Sequence, residues 1–375
     1  MPTPSLSVTK RSTPRALAWH AVALAGLLGW IALLPPEPRH THRDFYQKMG
    51  RDILIPHCAD IHCFRPLVAV VVEHLPGPSI AKWKTYSVLA NTAAAVATAR
   101  FAMLLGATPV AALYAMWLSG LGAGALYTLY DPFTSDPFMY MIAPMLAILL
   151  WRGEIARATV VSVVGVFAKE FAAAPLWIFA GFEALRRRWR KAGVNLMAAL
   201  LVTCVWLALQ ASLRIAFDYN YGDNRSPDVL HGGYLFLWVQ SVGIVGAATY
   251  IFTTFGALYL LFAAGLVRGP RAIRFLSASA IPALVALVYV QQPERALWNF
   301  HFIVVPTAVL ALAELPTWIG WLFVVCFGVA NLRFGAQIAP AWIAHATFGA
   351  SLLIAAAASY RAVEASRSRA KRTVL

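Results

Sequence analysis

Acidic side chains are scarce in this sequence of 375 residues, where 16 Asp and Glu stand against 31 Lys and Arg. Charged residues of both signs make up only 13% of the chain, whereas 60% of its residues are hydrophobic and the mean hydropathy is +0.66. A soluble domain has an apolar fraction near one half, so this composition excludes that class. The ten-residue alternating segments of a transmembrane β-barrel are absent as well.

The net charge of +15 does not indicate a nucleic-acid partner, because the cations flank hydrophobic spans instead of forming one binding face. Clustered Lys and Arg beside membrane spans are typical of cytoplasmic loops. The clusters are Lys10–Arg15, Arg186–Lys191, Arg268–Arg274 and Arg361–Arg372.

Apolar runs of roughly 17 to 25 residues are long enough for a helix to cross a bilayer. The sequence therefore predicts an all-α polytopic transmembrane bundle of about 12 membrane helices, two of them short. One transmembrane domain covers 16–360, between cytoplasmic tails at 1–15 and 361–375, and its first external loop, 35–78, contains interfacial helices. The first run is long for a signal peptide and lacks a cleavage site, so we interpret it as a retained helix. The expected location is a bacterial inner membrane, with both termini in the cytoplasm.

The expected spans leave two shorter segments, Pro66–Leu75 and Leu235–Gln240, on the membrane interface. In chain order the spans are Ala16–Leu34, Tyr86–Gly106, Pro109–Tyr130, Phe138–Trp151, Thr159–Glu183, Val194–Phe217, Val242–Val267, Ile273–Val290, Phe302–Glu314, Thr317–Leu332 and Ala341–Tyr360.

Charge decides how Thr159–Glu183 is divided. A single helix here would place Arg186–Lys191 outside the cell, against the positive-inside rule. A hairpin of two short helices that bends near Lys169–Pro175 keeps the cluster in the cytoplasm, and this is the arrangement that the sequence predicts.

Polar residues are concentrated in the first external loop, between His40 and Arg65. Asp44 lies at the membrane-proximal start of this segment, beside Phe45 and Tyr46. A partly desolvated carboxylate at the mouth of a bundle has the raised pKa that suits a general base. The alternative is a solvated amphipathic helix that turns its charges outward.

The same loop contains two of the four cysteines, within the sequence HCADIHC. His57, Cys58, Asp60, His62 and Cys63 are all metal-ligand types, although their spacing does not match familiar zinc sites. A disulfide between the two cysteines suits an oxidising exterior. A disulfide, free thiols and a metal site all remain open.

Two aspartates, Asp131 and Asp136, lie in the turn YDPFTSDPF between two predicted membrane helices. Two carboxylates at a bundle mouth can bind a divalent cation that bridges to a phosphate. Turn chemistry alone also explains an aspartate that precedes proline.

Ionisable residues interrupt apolar sequence at two further places. Lys169 and Glu170 lie at the predicted hairpin bend, where a charge inside the membrane is costly and usually functional. The alternative is a hairpin tip exposed to water. Arg295 follows Pro293 and Glu294, and its guanidinium suits bidentate contact with a lipid-linked phosphate. An interfacial anchor with a local Glu294–Arg295 pair is the alternative there.

These residues together resemble the C-type integral-membrane glycosyltransferases, over most of the chain. The resemblance lies in Asp44 of the first external loop and in four short motifs: Phe64-Arg65-Pro66-Leu67, Ser135-Asp136-Pro137, Ala168-Lys169-Glu170 and Pro293-Glu294-Arg295. Enzymes of this superfamily move a sugar from a polyprenyl-phosphate carrier to an acceptor at the outer face of the membrane.

The resemblance implies a division of roles. Asp44 would take the proton of the acceptor, which is a glycan, lipid or protein, during an inverting displacement. Asp136 and Asp131 would position the acceptor or a divalent cation, Mg or Mn, although the first loop lacks an adjacent acidic pair. The residues that would bind the lipid phosphate are Lys169, Arg295 and Arg65, and the residues that would support them are Glu170, Glu294, His301 and Tyr46.

Two other functions compete with the enzyme. A bundle of about twelve helices also suits a transporter or flippase for a lipid-linked or small polar substrate. Secondary transporters usually show internal repeats and polar residues near the midplane, whereas this sequence shows no repeat and gathers its polar residues at the outer edge. A catalytically silent member that acts as a partner protein is the third hypothesis.

Overall fold

A computed structural model describes residues 12–34, 43–52, 57–58, 61–219, 233–289 and 293–374. Within these ranges the chain consists of helices, turns and short connections, without a β-strand. The predicted all-α class is therefore confirmed.

Seventeen α-helices follow one another in the described ranges. They are α1 (Ser12–Leu33), α2 (Arg43–Arg51), α3 (Pro66–Glu73), α4 (Ser79–Leu104), α5 (Pro109–Gly120), α6 (Ala123–Tyr130), α7 (Asp136–Arg152), α8 (Ile155–Val166), α9 (Ala174–Leu185), α10 (Trp189–Phe217), α11 (Gly233–Phe255), α12 (Leu258–Arg268), α13 (Arg271–Ala280), α14 (Pro293–Leu297), α15 (His301–Leu312), α16 (Thr317–Phe334) and α17 (Ala341–Val374). Four 3₁₀ segments lie between them, at Ile61–Phe64, Glu170–Ala173, Ile281–Tyr289 and Trp298–Phe300.

Eight segments of the described chain are helical, long enough and apolar enough to cross a membrane. Large apolar side chains are exposed on their surfaces, among them Trp19 within α1 and Trp30, Trp318 and Trp342 near helix ends. Tryptophan is enriched at both membrane–water interfaces, where its ring lies at headgroup depth. Apolar helices with such exposed side chains are typical of a membrane protein. The eight segments are Pro14–Leu33, Ser79–Leu104, Pro109–Tyr130, Trp189–Phe217, Leu235–Phe255, Arg295–Leu312, Thr317–Phe334 and Ala341–Ser368.

The predicted interruption of Thr159–Glu183 is present as two twelve-residue helices, α8 and α9. Residues 167–173 separate them, and Lys169 there has an extended backbone with φ −167° and ψ 138°. Pro175 lies in the first turn of α9, where a missing backbone N–H costs nothing. The break places both Lys169 and Glu170 outside regular α-helix.

The span predicted over Val242–Val267 is interrupted, because α11 ends at Phe255 and α12 begins at Leu258. Helix α11 itself is kinked at Gly243 (φ +74°), close to the predicted boundary between the interfacial segment Leu235–Gln240 and this span. Gly256, between α11 and α12, has φ +52°, and a Cβ atom at this position would lie 2.8 Å from the Phe348 ring. Hydropathy alone does not show such a break, since both flanking segments are apolar.

Two other boundaries also differ from the sequence prediction. The span expected over Ile273–Val290 leaves α-helical geometry at Ala280 and continues as a 3₁₀ segment to Tyr289. Helix α17 continues to Val374 instead of ending near Tyr360, so most of the predicted basic tail is helical.

Aromatic packing attaches the segment between α1 and α4 to the bundle. The Tyr46 ring of α2 lies 5.1 Å from the Trp83 ring of α4, and the Trp83 ring lies 5.4 Å from the Phe133 ring. All three side chains are buried. This stack holds α2 next to the turn that precedes α7, where the charged side chains meet.

Candidate functional site

Asp136 is bound by two cations from distant parts of the chain. Lys169 Nζ donates to Asp136 Oδ1, and Arg295 donates to Asp136 Oδ2 from Nε at 3.0 Å and from Nη2 at 2.5 Å. The exposed fractions of the three side chains are only 5%, 8% and 12% for Asp136, Lys169 and Arg295. Two close cations favour the charged form of a carboxyl group, and they are what makes its burial tolerable.

A second ion pair is joined to the first through the backbone. Arg65 Nε and Nη2 donate to Glu170 Oε2 and Oε1 at 3.1 and 2.7 Å, which is a bidentate pair. Neighbouring side chains of an extended chain point in opposite directions, and Lys169 is extended. Lys169 therefore reaches α7 while Glu170 reaches Arg65. We call the five residues Arg65, Glu170, Lys169, Asp136 and Arg295 the charge network.

The guanidinium of Arg295 has further contacts that fix its position. Its Nη2 donates to Thr134 Oγ1 at 2.9 Å, and its Cζ lies 4.7 Å from the centre of the Tyr127 ring. The Tyr140 hydroxyl donates to the Arg295 carbonyl at 3.4 Å. Hydrogen bonds and a cation–π contact thus orient the same side chain.

Trp298 anchors the segment that carries Arg295. The indole is fully buried against Gly122 and Gly124, where added Cβ atoms would lie 1.9 and 2.3 Å from it. The His301 ring stacks on the indole at 5.6 Å, and His301 is itself fully buried. His301 thus lies behind Arg295 and has no described contact with the carboxylates, while the side chain of Glu294 is outside the described residues.

Tyr46 brings α2 to the charge network. Its side chain is buried, its hydroxyl is hydrogen-bonded to the Ser135 side chain, and it interacts electrostatically with Arg65 and Asp136. Burial raises the pKa of Tyr46 to about 12, although Arg65 opposes the shift. The phenol therefore stays protonated at neutral pH and acts as a hydrogen-bonding group.

Asp44, the predicted general base, lies two residues before Tyr46 in the first turn of α2. Its side chain is exposed, whereas Tyr46 faces the bundle. The structure brings Asp136, Lys169, Glu170, Arg295 and Arg65 together but does not include Asp44 in their ion pairs. Its proposed role depends on a substrate that reaches α2.

The turn between α6 and α7 is buried inside the bundle. Asp131 is fully buried and interacts electrostatically with Arg295. Both Asp136 oxygens already receive hydrogen bonds from cations, and a metal ion there would face Lys169 and Arg295. This donor set does not fit a divalent cation. No group of three metal-ligand side chains occurs in the described part of the chain.

The structure pairs Cys58 with Cys63 as a disulfide whose Cα atoms lie 6.4 Å apart. Neither sulfur is then available as a thiolate ligand, which removes the metal interpretation for the described members of HCADIHC; Asp60 lies outside the described residues. His57 is exposed, with Nδ1 3.0 Å from Asp218 Oδ2 at the end of α10. His62 packs edge-on against Tyr46 at 5.6 Å. These residues connect α2, the loop and α10.

No known protein family, characterised protein or solved structure matches this chain. Function must therefore be argued from the geometry of the charge network and from the sequence motifs.

Sequence reasoning missed Glu73, the last residue of α3. Its Oε1 accepts hydrogen bonds from Ser79 Oγ at 2.5 Å and Trp83 Nε1 at 2.7 Å, and its Oε2 lies 3.1 Å from Lys82 Nζ. Burial acts to raise the pKa of Glu73, but the bonds from Ser79, Trp83 and Lys82 outweigh it and lower the pKa. The sequence did contain a signal for Glu73, since it is a single carboxylate at the end of an apolar run. Its role is to hold α3, and with it the adjacent Arg65, against α4.

Proposed function

We propose that this protein is a membrane glycosyltransferase that moves a sugar from a polyprenyl-phosphate carrier to a glycan, lipid or protein acceptor at the periplasmic face of a bacterial inner membrane. The observation that carries the proposal is the convergence of Lys169 and Arg295 on one anionic group at the start of α7, with Arg65 nearby. Three cations meeting among membrane helices suit a lipid-linked phosphate better than a neutral substrate.

The membrane arrangement in this proposal follows from charge. The basic clusters and both termini lie in the cytoplasm, and the chain crosses the membrane about twelve times, with α8 and α9 as the two short crossings. The charge network then faces the periplasm. A donor whose polyprenyl chain lies in the bilayer presents its phosphate at that level.

The proposed reaction is an inverting displacement at the anomeric carbon. A bond forms from the acceptor oxygen to the anomeric carbon while the bond from that carbon to the phosphate oxygen breaks. Asp44 receives the acceptor's proton, which requires hydrogen-bond contact with the acceptor. Negative charge grows on the leaving phosphate, so fixed cations there stabilise the transition state. Lys169 and Arg295, with support from Arg65, perform that role.

Glu170 faces the acceptor in this scheme. Its side chain is 36% exposed, which makes it the most exposed member of the charge network. Arg65 occupies one edge of the carboxylate in the bidentate pair, and each oxygen retains a lone pair that can accept a sugar hydroxyl. Asp136 differs, since both its oxygens are directed at cations. In this structure it holds Lys169 and Arg295 in place.

The test is sugar transfer by the purified protein in proteoliposomes that contain a polyprenyl-phosphate-linked sugar and a lipid or glycan acceptor. Lys169→Met and Arg295→Met should each lower transfer at least a hundredfold, in line with the loss of one group that stabilises transition-state charge. Arg268→Met is the matched control, because Arg268 forms an ion pair with Glu314 in another part of the bundle. Transfer at the wild-type rate by both network variants contradicts the proposal.

A transporter or flippase is the competing function, favoured by the burial of ion pairs inside an apolar helical bundle. It predicts movement of the lipid-linked sugar between leaflets without cleavage of the phosphate–sugar bond. Leaflet-specific labelling of the donor in the same proteoliposomes distinguishes movement from transfer.

A further inference from the structure

The anion between Lys169 and Arg295 is part of the protein. Asp136 presents one oxygen to the ammonium and the other to the guanidinium, as a phosphate held by the same cations would. Asp136 is also the first residue of α7, where the helix dipole favours negative charge. Cations on two sides and a helix N-terminus define a place for an oxyanion.

This place is closed to a second anion. The side chains of Lys169 and Arg295 are only 8% and 12% exposed, and their hydrogen bonds to Asp136 point inward. A phosphate that used the same donors would lie against the Asp136 carboxylate, and like charges at this distance repel strongly inside a protein. Phosphate and Asp136 therefore compete for the same two cations.

We infer that Asp136 is an intramolecular stand-in for the substrate phosphate, which binds by displacing this carboxylate from Lys169 and Arg295. The inference rests on the proposed function, since it concerns the same phosphate site. After transfer the carboxylate returns to the cations and helps to expel the polyprenyl phosphate product.

The places of Lys169 and Arg295 in the chain suit such an exchange. Lys169 is in the extended break between α8 and α9, and Arg295 is in the short helix α14. Neither residue is in the middle of a long helix, and Arg295 is the first residue of the membrane-length segment Arg295–Leu312. An exchange of Asp136 for a ligand therefore requires new side-chain torsions and the loss of the Arg295–Thr134 hydrogen bond, but no break inside a membrane span. Thr134 Oγ1, which accepts from Arg295, holds the guanidinium on the Asp136 side.

The experiment measures the Kd of farnesyl phosphate, a short polyprenyl phosphate, for the full chain in detergent. Asp136→Asn keeps the shape of the side chain but removes its charge. We expect it to bind farnesyl phosphate on the order of tenfold more tightly than wild type, because the competing carboxylate is gone. Glu314→Gln removes a carboxylate from the ion pair with Arg268 elsewhere and should leave the Kd unchanged.

A second variant keeps the inference testable if Asp136→Asn does not fold. Thr134→Val removes the hydroxyl that accepts hydrogen bonds from Arg295 Nη2 and from the Asp136 backbone N–H. The carboxylate and the guanidinium are then held together less firmly, and about threefold tighter binding is expected. Unchanged or weaker binding in the variant that folds overturns the stand-in role.

Lys169→Met and Arg295→Met separate this inference from the proposed function. Loss of farnesyl phosphate binding in both variants, together with an unchanged Kd in Asp136→Asn, refutes the stand-in alone. Wild-type binding in both cation variants refutes the phosphate site itself, and the proposed function with it.

Discussion

Lys169 and Glu170 are adjacent in the sequence but form ion pairs in different directions, Lys169 with Asp136 and Glu170 with Arg65. These two neighbouring residues therefore connect Arg65, which lies just before α3, with Asp136, which begins α7. Because Arg295 binds the same Asp136, three parts of the chain that are far apart in sequence depend on one break between two short helices.

The ion pair of Arg65 and Glu170 should contribute measurably to stability. Glu170→Gln leaves the buried guanidinium without its counter-charge, and the free energy of unfolding should fall by about 1 to 3 kcal/mol. Thermal unfolding in detergent measures the change. Glu154→Gln is the matched control, because its partner Arg157 is 78% exposed and such pairs contribute little. Equal losses of stability in the two variants would show that the buried pair contributes no more than the exposed one.

Asp44 and Asp52 offer a matched pair of exposed carboxylates on the same stretch of chain. Asp44→Asn should abolish sugar transfer in proteoliposomes and leave farnesyl phosphate binding intact, because a base acts on the acceptor and not on the phosphate. Asp52→Asn should retain transfer. Normal transfer by Asp44→Asn would remove Asp44 as the base and make the exposed Glu170 the next carboxylate to test.

Glu73 makes folding stability sensitive to acid. Its pKa in the folded protein lies below the ordinary value of 4.5, so the charged carboxylate stabilises the fold above that pH. This contribution is lost as the pH falls through the folded-state pKa. The Tm of the wild type should therefore decrease below about pH 4.5, and Glu73→Gln should have a lower Tm at neutral pH and a smaller decrease in acid. Parallel Tm curves for the two proteins would contradict this assignment.

The disulfide between Cys58 and Cys63 should stabilise the loop that carries His57. Closing so short a loop corresponds to about 2 kcal/mol in the chain-entropy account. The double variant Cys58→Ser, Cys63→Ser should lower the Tm, and reductant should lower the Tm of the wild type but not of the variant. Cys204→Ser, at an exposed free cysteine, is the control and should behave as wild type.

The sequence predicted the helical class, the break at Lys169 and the polar residues that meet in the charge network. These predictions depend on local signals, namely apolar run length, a charge inside an apolar run and a nearby proline. The end of α11 at Phe255 was not predicted, because a glycine between two apolar segments is ordinary in membrane helices. Gly256 there has a positive φ, and a Cβ atom at this position would come too close to the Phe348 ring.

The pairing inside the charge network could not be predicted, for a physical reason. Asp136 and Arg295 are 159 residues apart, and no local pattern states which cation a given carboxylate will meet. The sequence assigned Asp136 to an acceptor or a metal, whereas the structure surrounds it with cations. Glu73 was missed for a related reason, since its donors Trp83 and Lys82 belong to the next helix.

The close packing of Trp298 on Gly122 and Gly124 makes the charge network depend on two residues without side chains. Any larger residue at either position must push the indole away, and Arg295 lies only three residues before it. The guanidinium would then lose its alignment with Asp136 although no polar atom had been changed. Random mutagenesis screened for loss of transfer should therefore identify apolar substitutions here as readily as changes of the charged residues themselves.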